Sequence, residues 1–259
     1  MDLAGKNVVY LGGFGGIGQR SVPELLERQV KTLAIFDLNE NLSLLGGWQA
    51  TYKNVNIFYQ KMDITKKTEI EAAYKSTIQR VGHIDLVVNG CGLMNDRSPE
   101  LCIQINLMGV INSSLIALEH MDKAQGGKGG LIVNFSSVAG LQPTPMVAIY
   151  STAKSGVTTF TRALGNPFYY AHSGVGFITV CPGFTDTPLL DDIANKTTFL
   201  YSTPMNDAYA KAKKQSPEEC ARNLIRVIEQ GKNGEVWILD LGEMKQANFS
   251  ELWHPVLED

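Results

Sequence analysis

A glycine-rich stretch lies where an apolar run gives way to an amphipathic one. It reads Leu11-Gly12-Gly13-Phe14-Gly15-Gly16-Ile17-Gly18. Gly13, Gly15 and Gly18 fit G-x-G-x-x-G, and Gly12, Gly16 and Gly18 fit the looser G-x-x-x-G-x-G. Both spacings serve one chemistry. A backbone without Cβ lets a pyrophosphate approach closely, and the helix N-terminus behind it offers free N–H groups and a positive dipole. Asp37 lies 19 residues beyond Gly18, at the end of the next strand. A carboxylate there accepts hydrogen bonds from an adenosine ribose. It would repel a 2′-phosphate, and neither the following Leu38 nor Gly15 in the loop supplies a basic side chain. The reading is NAD over NADP; the plain alternative is a tight turn and a solvated strand end.

The second constellation is Tyr150-Ser151-Thr152-Ala153-Lys154, which puts Tyr150 and Lys154 at i and i+4, on one helix face. Ser137 precedes Tyr150 by 13 residues, at the end of another strand, with Ser136 as an adjacent competitor. A Y-x-x-x-K spacing alone usually marks a solvated helix face. Joined to the glycine loop and to Ser137, it is far more specific.

Positioning these groups requires alternating strands and helices, and the chain supplies them. Strand-like runs are Asn7–Leu11, Thr32–Phe36, Asn56–Met62, Asp85–Val88, Leu131–Phe135, Val175–Val180 and Val236–Leu239. Helical stretches are Ser21–Gln29, Thr68–Val81, Ile103–Asp122, Ala148–Leu164 and Pro217–Gln230. Continuous apolar strands between helices mean that both sheet faces are covered. The fold class is therefore α/β, a doubly wound Rossmann-type domain with a seven-stranded parallel sheet. Residues 1–259 read as a single domain, with a cofactor half of about 1–130 and a catalytic and substrate half of about 131–259.

Composition excludes other classes. Apolar residues make up 44% and charged residues 19% of 259, an ordinary globular balance and not that of a disordered chain. A net charge of −3 argues against nucleic acid as a partner. No window reaches the roughly 18 apolar residues of a membrane helix, and the first residues show no signal peptide. Cys91, Cys102, Cys181 and Cys220 share no C-x-x-C spacing, and His83, His120, His172 and His254 are scattered, so the thiols read as reduced, the location as cytoplasmic, and no metal is expected. Sequons at Asn112, Asn134, Asn195 and Asn248 are then chance matches.

These motifs carry a family likeness. With Asp63, Asn89-Gly90-Cys91-Gly92, Asn106 and Pro182-Gly183 added, the chain resembles the short-chain dehydrogenase/reductase family over nearly its whole length. Within it the chain is most similar to the insect-type alcohol dehydrogenases and their dipteran paralogues. It shares with them Gly-Gly-Phe-Gly-Gly-Ile-Gly, Met121-Asp122-Lys123 before a Gly-Gly-x-Gly-Gly turn, and Asn233-Gly234-Glu235-Val236-Trp237. Animal 15-hydroxyprostaglandin dehydrogenases are a more distant likeness.

The resemblance implies a catalytic set of Asn106, Ser137, Tyr150 and Lys154. Tyr150 is the implied general base, its pKa lowered from about 10 by the Lys154 ammonium and the positive nicotinamide. Ser137 is to hydrogen-bond the substrate oxygen. Lys154 is also to bind the nicotinamide ribose. Asn106 is to hold a water that links Lys154 to solvent, the alternative being a helix-interior Asn bonded locally. Implied NAD contacts are Gly12, Gly13, Gly16, Ile17, Gly18, Asp37, Asp63, Ile64, Asn89, Tyr150, Lys154, Thr185 and Thr187. Asp63 and Ile64, at the end of strand three, are to touch the adenine; Thr185 and Thr187 meet the nicotinamide carboxamide and phosphates. Asn89 is to brace neighbouring backbone, or else makes a local turn. Two departures stand out: Leu11 where the family commonly has Thr, and Asn89-Gly90-Cys91-Gly92 where it has Asn-Asn-Ala-Gly.

The segment Leu189–Tyr209 is expected to cover the substrate. Leu189, Leu190, Ile193, Phe199, Leu200, Tyr201, Met205 and Tyr209, joined by Phe249, Leu252 and Trp253 of the tail, favour an alcohol with hydrocarbon bulk and offer no convergent cationic clamp. By analogy the long helix and the tyrosine helix pair between subunits, giving a homodimer or tetramer. The leading function is hydride transfer between a primary or secondary apolar alcohol (or its carbonyl product) and NAD. The alternatives are a dehydrogenase of lipid hydroxyls (prostaglandin, retinoid or isoprenoid) and a non-catalytic NAD-binding protein that accumulates.

Overall fold

The structure, a computed structural model, describes residues 1–202, 205, 207, 209 and 211–250. Leu252, Trp253 and His254 lie outside the described residues. The strands are β1 (Asn7–Leu11), β2 (Thr32–Asp37), β3 (Asn56–Lys61), β4 (Leu86–Asn89), β5 (Gly130–Phe135), β6 (Val175–Pro182), β7 (Val236–Asp240) and β8 (Glu243–Gln246). They form one sheet in the order β3-β2-β1-β4-β5-β6-β7-β8. β1 to β7 pair in parallel, and only β8 runs antiparallel, against β7.

Side chains alternate between faces along each strand, and both faces are buried. Val8 and Tyr10 join one core with Leu25 and Leu26 of α1 (Gly18–Glu27) and Leu224 and Ile228 of α8 (Pro217–Gln230). Val9 and Leu11 join the other, with Ile70 and Tyr74 of α3 (Lys67–Val81) and Ile116 and Ala117 of α5 (Gly109–Met121). This two-sided burial makes the strands read as unbroken apolar runs.

The expected seven strands are present, and β8 corrects the count to eight. Leu241 and Gly242 both take positive φ, 49° and 78°, in a two-residue turn that folds Glu243 back opposite Asp240. Leu-Gly lacks the Asn or Asp that announces such a turn. β8 itself is polar and mostly exposed, as an edge strand should be. A helix was also unforeseen: α2 (Leu42–Thr51) carries Gly46 and Gly47 in mid-course, which lower its propensity, yet Asn41 caps it at 3.1 Å and Leu45 and Trp48 are buried.

The expected helix Ile103–Asp122 is longer at its start. It runs from Pro99 to Met121 as α4 (Pro99–Ile103), a π-helical turn at Gln104–Met108, and α5. By length and composition this run suffices to cross a membrane, against the expectation of no such window. The count of apolar residues missed it because Asn106, Ser113 and Ser114 are interspersed. Here those three are fully buried and hydrogen-bonded within the protein, as in a core helix. α6 (Ala148–Leu164) lies beside α5, and α7 (Pro167–Ser173) follows it.

Strand order reverses at β1, which lies between β2 and β4. In open α/β sheets the crevice beyond the C-terminal strand ends at such a switch point is where ligands bind.

Candidate active site

A cavity of about 720 Å³ opens at that crevice. Its walls run from Asp37, Asp63 and Ile64 at one end, past Gly12, Gly16, Ile17 and Gly18, to Ser137, Tyr150 and Lys154 at the other, with Thr185 and Thr187 closing over it. Most of the residues singled out in the sequence therefore meet in one place.

The loop geometry favours the looser of the two glycine spacings, with Gly15 of the other also lining the cavity. Gly12 has φ +78°, and a Cβ there would lie 2.9 Å from the Cys91 amide nitrogen. A Cβ at Gly18 would lie 2.3 Å from the Gly12 carbonyl oxygen, and one at Gly16 2.6 Å from Thr187. These three give G-x-x-x-G-x-G. Gly13 is the correction: its missing Cβ faces Ile35 in the core, and it does not line the cavity.

Asp37 lies at the end of β2 and also holds the loop. Its Oδ2 accepts the Phe14 N–H at 3.2 Å and its Oδ1 the Leu38 N–H at 2.8 Å. Burial raises its pKa, and these amide donors oppose the rise. Phe14 stacks on Trp48 of α2, centroids 5.9 Å apart, so the unforeseen helix steadies the loop. Asp63 lies just beyond β3, where Thr65 donates both its N–H (3.0 Å) and its hydroxyl (2.7 Å) to it.

On α6 the solvated-face reading fails. Tyr150, Lys154, Val157, Thr158 and Thr161 form its buried stripe, with Tyr150 6% and Lys154 2% exposed. The Lys154 ammonium donates to the Phe135 carbonyl at 2.9 Å, at the end of β5. The two serines differ in what their hydroxyls bond. Ser136 donates to the Lys154 carbonyl at 2.8 Å and bonds Thr158 at 2.8 Å, fixing α6 against β5. Ser137 caps a short turn through the Ala139 N–H at 3.2 Å and lines the cavity with Tyr150, whose pKa its hydroxyl lowers.

Burial opposes charge on both groups. In the protein alone burial pushes the Tyr150 phenol up to about 12, the Ser137 hydrogen bond opposing it, and pushes the Lys154 ammonium down to about 8.

Two expected site residues act from behind. Asn89, the last residue of β4, is fully buried and does not line the cavity. It bonds side chains, not the neighbouring backbone: Nδ2 donates to Asn134 at 2.7 Å and Ser114 at 3.1 Å, and Oδ1 accepts from Ser113 at 2.7 Å. Asn106, in the π turn, gives Nδ2 to the carbonyls of Leu93 (2.6 Å) and Cys102 (2.8 Å), and its Oδ1 accepts the Leu93 N–H at 3.1 Å. Both amide protons are engaged, so one Oδ1 lone pair is left. Gly92 fits between that oxygen and Lys154: a Cβ there would lie 3.4 Å from Oδ1 and 3.9 Å from the ammonium.

The substrate end is lined by Met94, Ala139, Met146, Val147, Leu189, Leu190 and Ile193. Of these only Leu189, Leu190 and Ile193 were foreseen; the others come from loops whose sequence carries no pattern. Phe199, Leu200, Tyr201 and Met205 are exposed and Tyr209 packs behind the wall, so these five do not line the cavity. Phe249 lies against the Arg162 guanidinium, 3.7 Å from ring centre to carbon. Lys196 also lines this end, and its ammonium hydrogen-bonds the Asp191 carbonyl.

The cradle fits a dinucleotide: crowded glycines at the phosphate position, a carboxylate at one end, a buried hydroxyl, phenol and ammonium at the other. Comparison with known proteins agrees. The chain is 41% identical over 255 residues to alcohol dehydrogenase 1 of Ceratitis capitata, covering 98% of this chain and 99% of that one. It is 38% identical over 252 residues to fat body protein 2 of Drosophila melanogaster, covering 97% and 98%. The crystal structure of levodione reductase superposes with a TM-score of 0.76 at 21% identity, over 92% of this chain and 97% of that one, a likeness of fold. Residues 6–198 match the short chain dehydrogenase family. The chain thus belongs to the short chain dehydrogenases, oxidoreductases that act on small molecules with a nicotinamide cofactor.

Proposed function

We propose that this chain oxidises an apolar primary or secondary alcohol with NAD, with Tyr150 as general base. The observation that carries this reading is the meeting of Ser137, Tyr150 and Lys154 at the end of a cavity whose other end is Asp37 and the glycine loop. The relatives named alcohol dehydrogenase support the substrate class.

NAD, when bound, takes the hydride and brings the positive ring charge that favours the Tyr150 phenolate. Ser137 donates its hydroxyl to the alcohol oxygen and Tyr150 removes the alcohol proton. Lys154 has donors left beyond its Phe135 bond for a ribose diol, and its ammonium is 5.7 Å from the Tyr150 ring centre. The free lone pair of Asn106 Oδ1 flanks the same gap at Gly92 and would hold a water that links Lys154 to solvent, by which the proton leaves. Asp37 would take the adenosine ribose and disfavour a 2′-phosphate, Asp63 and Ile64 would flank the adenine, and Thr185 and Thr187 would hold the carboxamide end. The apolar wall of Met94, Met146, Val147 and Ile193 excludes water and selects hydrocarbon.

We read residues 1–259 as one unit of a homo-oligomer in the cytoplasm. Leu101, Met108 and Leu115 are each more than 40% exposed and recur every seven residues along the α4–α5 run, a stripe suited to helix pairing between subunits. The four free thiols suit a reducing compartment.

The test is NADH formation against short alcohols, long isoprenoid alcohols and hydroxy-fatty acids. Turnover of apolar alcohols is the expected result. Turnover confined to the lipid hydroxyls replaces the substrate class, and NADH binding without turnover of any alcohol overturns the enzyme reading.

A further inference from the structure

One buried carboxylate takes no part in the chemistry above. Asp96 lies between β4 and α4 and is 5% exposed. A buried carboxylate is costly unless donors surround it. Here Oδ1 accepts the Tyr150 N–H at 2.9 Å, and Oδ2 accepts the Ile149 N–H at 2.7 Å and the Thr198 hydroxyl at 2.7 Å. Asp96 also donates its own N–H to the Lys196 carbonyl at 2.9 Å.

The first amides of a helix have no acceptor within it. α6 starts after Val147, whose side chain makes no cap, so the helix that carries Tyr150 lacks a local one. Asp96 supplies it from 54 residues away, with a negative charge at the positive helix end. Thr198 completes the set: its Oγ1 accepts the Ala148 N–H at 2.9 Å, and its own N–H reaches the Met146 carbonyl at 2.8 Å. The first three amides of α6 thus end on two side chains that are bonded to each other. The same segments present Met94, Met146, Val147, Ile193 and Lys196 to the substrate end of the cavity.

We propose that Asp96 is a positioning residue: it fixes the turn that presents Tyr150 and, through Thr198, ties the substrate-covering segment to that turn. Its kinetic consequence rests on the alcohol dehydrogenase reading. Carboxylate chemistry is required, because an amide at this position would set an NH2 donor against an N–H or hydroxyl donor.

The test uses the full chain with Asp96→Asn, Thr198→Val and Thr198→Ser, read by amide hydrogen exchange, alcohol kinetics and NADH titration. Loss of a cap is expected to speed exchange of the Ile149 and Tyr150 amides about tenfold in Asp96→Asn, with the β1 and β5 amides unchanged. It is expected to lower kcat about tenfold while the NADH Kd stays within about twofold. Thr198→Val removes the acceptor of the Ala148 amide but keeps the Asp96 bonds to the Ile149 and Tyr150 amides, and is expected to raise the alcohol KM about threefold at unchanged kcat, with Thr198→Ser restoring it. Unchanged exchange in Asp96→Asn overturns the proposal. So does a kcat loss accompanied by equal loss of NADH affinity and faster exchange throughout, or a Thr198→Val enzyme with wild-type KM. Should Asp96→Asn fail to fold, the Thr198 pair decides. A wild type that turns over no alcohol overturns the function proposed above, and the exchange measurement then decides the role of Asp96 alone.

Discussion

The Lys154 ammonium lies 5.7 Å from the centre of the Tyr150 ring, and its hydrogen bond goes to the Phe135 carbonyl and not to the phenol. Burial drives both groups toward neutrality, the phenol up to about 12 and the ammonium down to about 8. A neutral phenol beside a weakly held ammonium is not yet a base. Under the mechanism proposed above, the positive charge of the nicotinamide would favour the phenolate and so couple base formation to cofactor binding.

Tyr150→Phe keeps the ring and removes the proton acceptor. It is expected to abolish turnover while NADH affinity, measured by fluorescence titration, stays near wild type. Retention of a tenth of wild-type kcat sinks the assignment of Tyr150 as base.

Lys154 makes stability depend on pH in a stated direction. Its folded-state pKa of about 8 lies below its ordinary 10.5, so between these values the folded chain binds fewer protons than the unfolded one. Stability from this group therefore rises with pH across that window, by about 1 kcal/mol per pH unit. Tyr150, Cys91, Cys181 and Cys220, each raised to about 12, act in the opposite sense above pH 9. They remain in Lys154→Met, so the difference between the two proteins isolates the lysine. Urea unfolding at pH 8 and 9 is expected to show wild type gaining on the variant by about 1 kcal/mol. A pH-independent difference places the ammonium in contact with solvent instead.

On the NAD reading proposed above, Asp37 would set the cofactor preference through one charge. Its carboxylate holds the Phe14 N–H, so Asp37→Asn retains an acceptor for the loop and loses only the repulsion toward a 2′-phosphate. Wild type is expected to favour NAD over NADP in kcat/KM, and the variant to narrow that ratio about ten- to hundredfold. Equal kcat/KM for both cofactors in the wild type excludes the reading.

Much of this arrangement was legible in the sequence because it depends on short spacings. Seven strands are continuous apolar runs, Gly12, Gly16 and Gly18 share one loop, and Tyr150 and Lys154 share one helix face. What was missed depends on distance or on weak local signals. β8 is polar and follows an atypical turn at Leu241 and Gly242. α2 carries two glycines. Asp96 reaches Tyr150 across 54 residues and Thr198 across 102, and no pattern in either segment announces the partner. Gln215 is a similar case: its side chain clasps the Thr185 hydroxyl at 3.1 Å and the Leu239 carbonyl at 2.7 Å, bracing the loop over the cavity.

Asn89 separates a supporting role from a cofactor contact. It lies at the C-terminal end of β4, where a dinucleotide contact is expected, yet its side chain turns inward to Ser113, Ser114 and Asn134. Asn134 in turn donates to Thr161 of α6 at 2.9 Å, so the chain of bonds runs from β4 to the helix that carries Tyr150. Asn89→Ala takes one acceptor from the Ser113 hydroxyl, which keeps Tyr74 at 2.8 Å, and one of two donors from Asn134 Oδ1, which keeps the Ser114 hydroxyl at 3.1 Å. Thinning a buried polar network in this way, and leaving a cavity, is expected to cost about 1–3 kcal/mol. The KM for NAD, measured below the melting transition, is expected to stay within about twofold, because no cavity atom is removed. The opposite outcome, unchanged unfolding free energy with a large rise in the KM for NAD, means that Asn89 touches the cofactor and that its inward bonds are dispensable. The two roles move different observables, so one variant measured both ways decides between them.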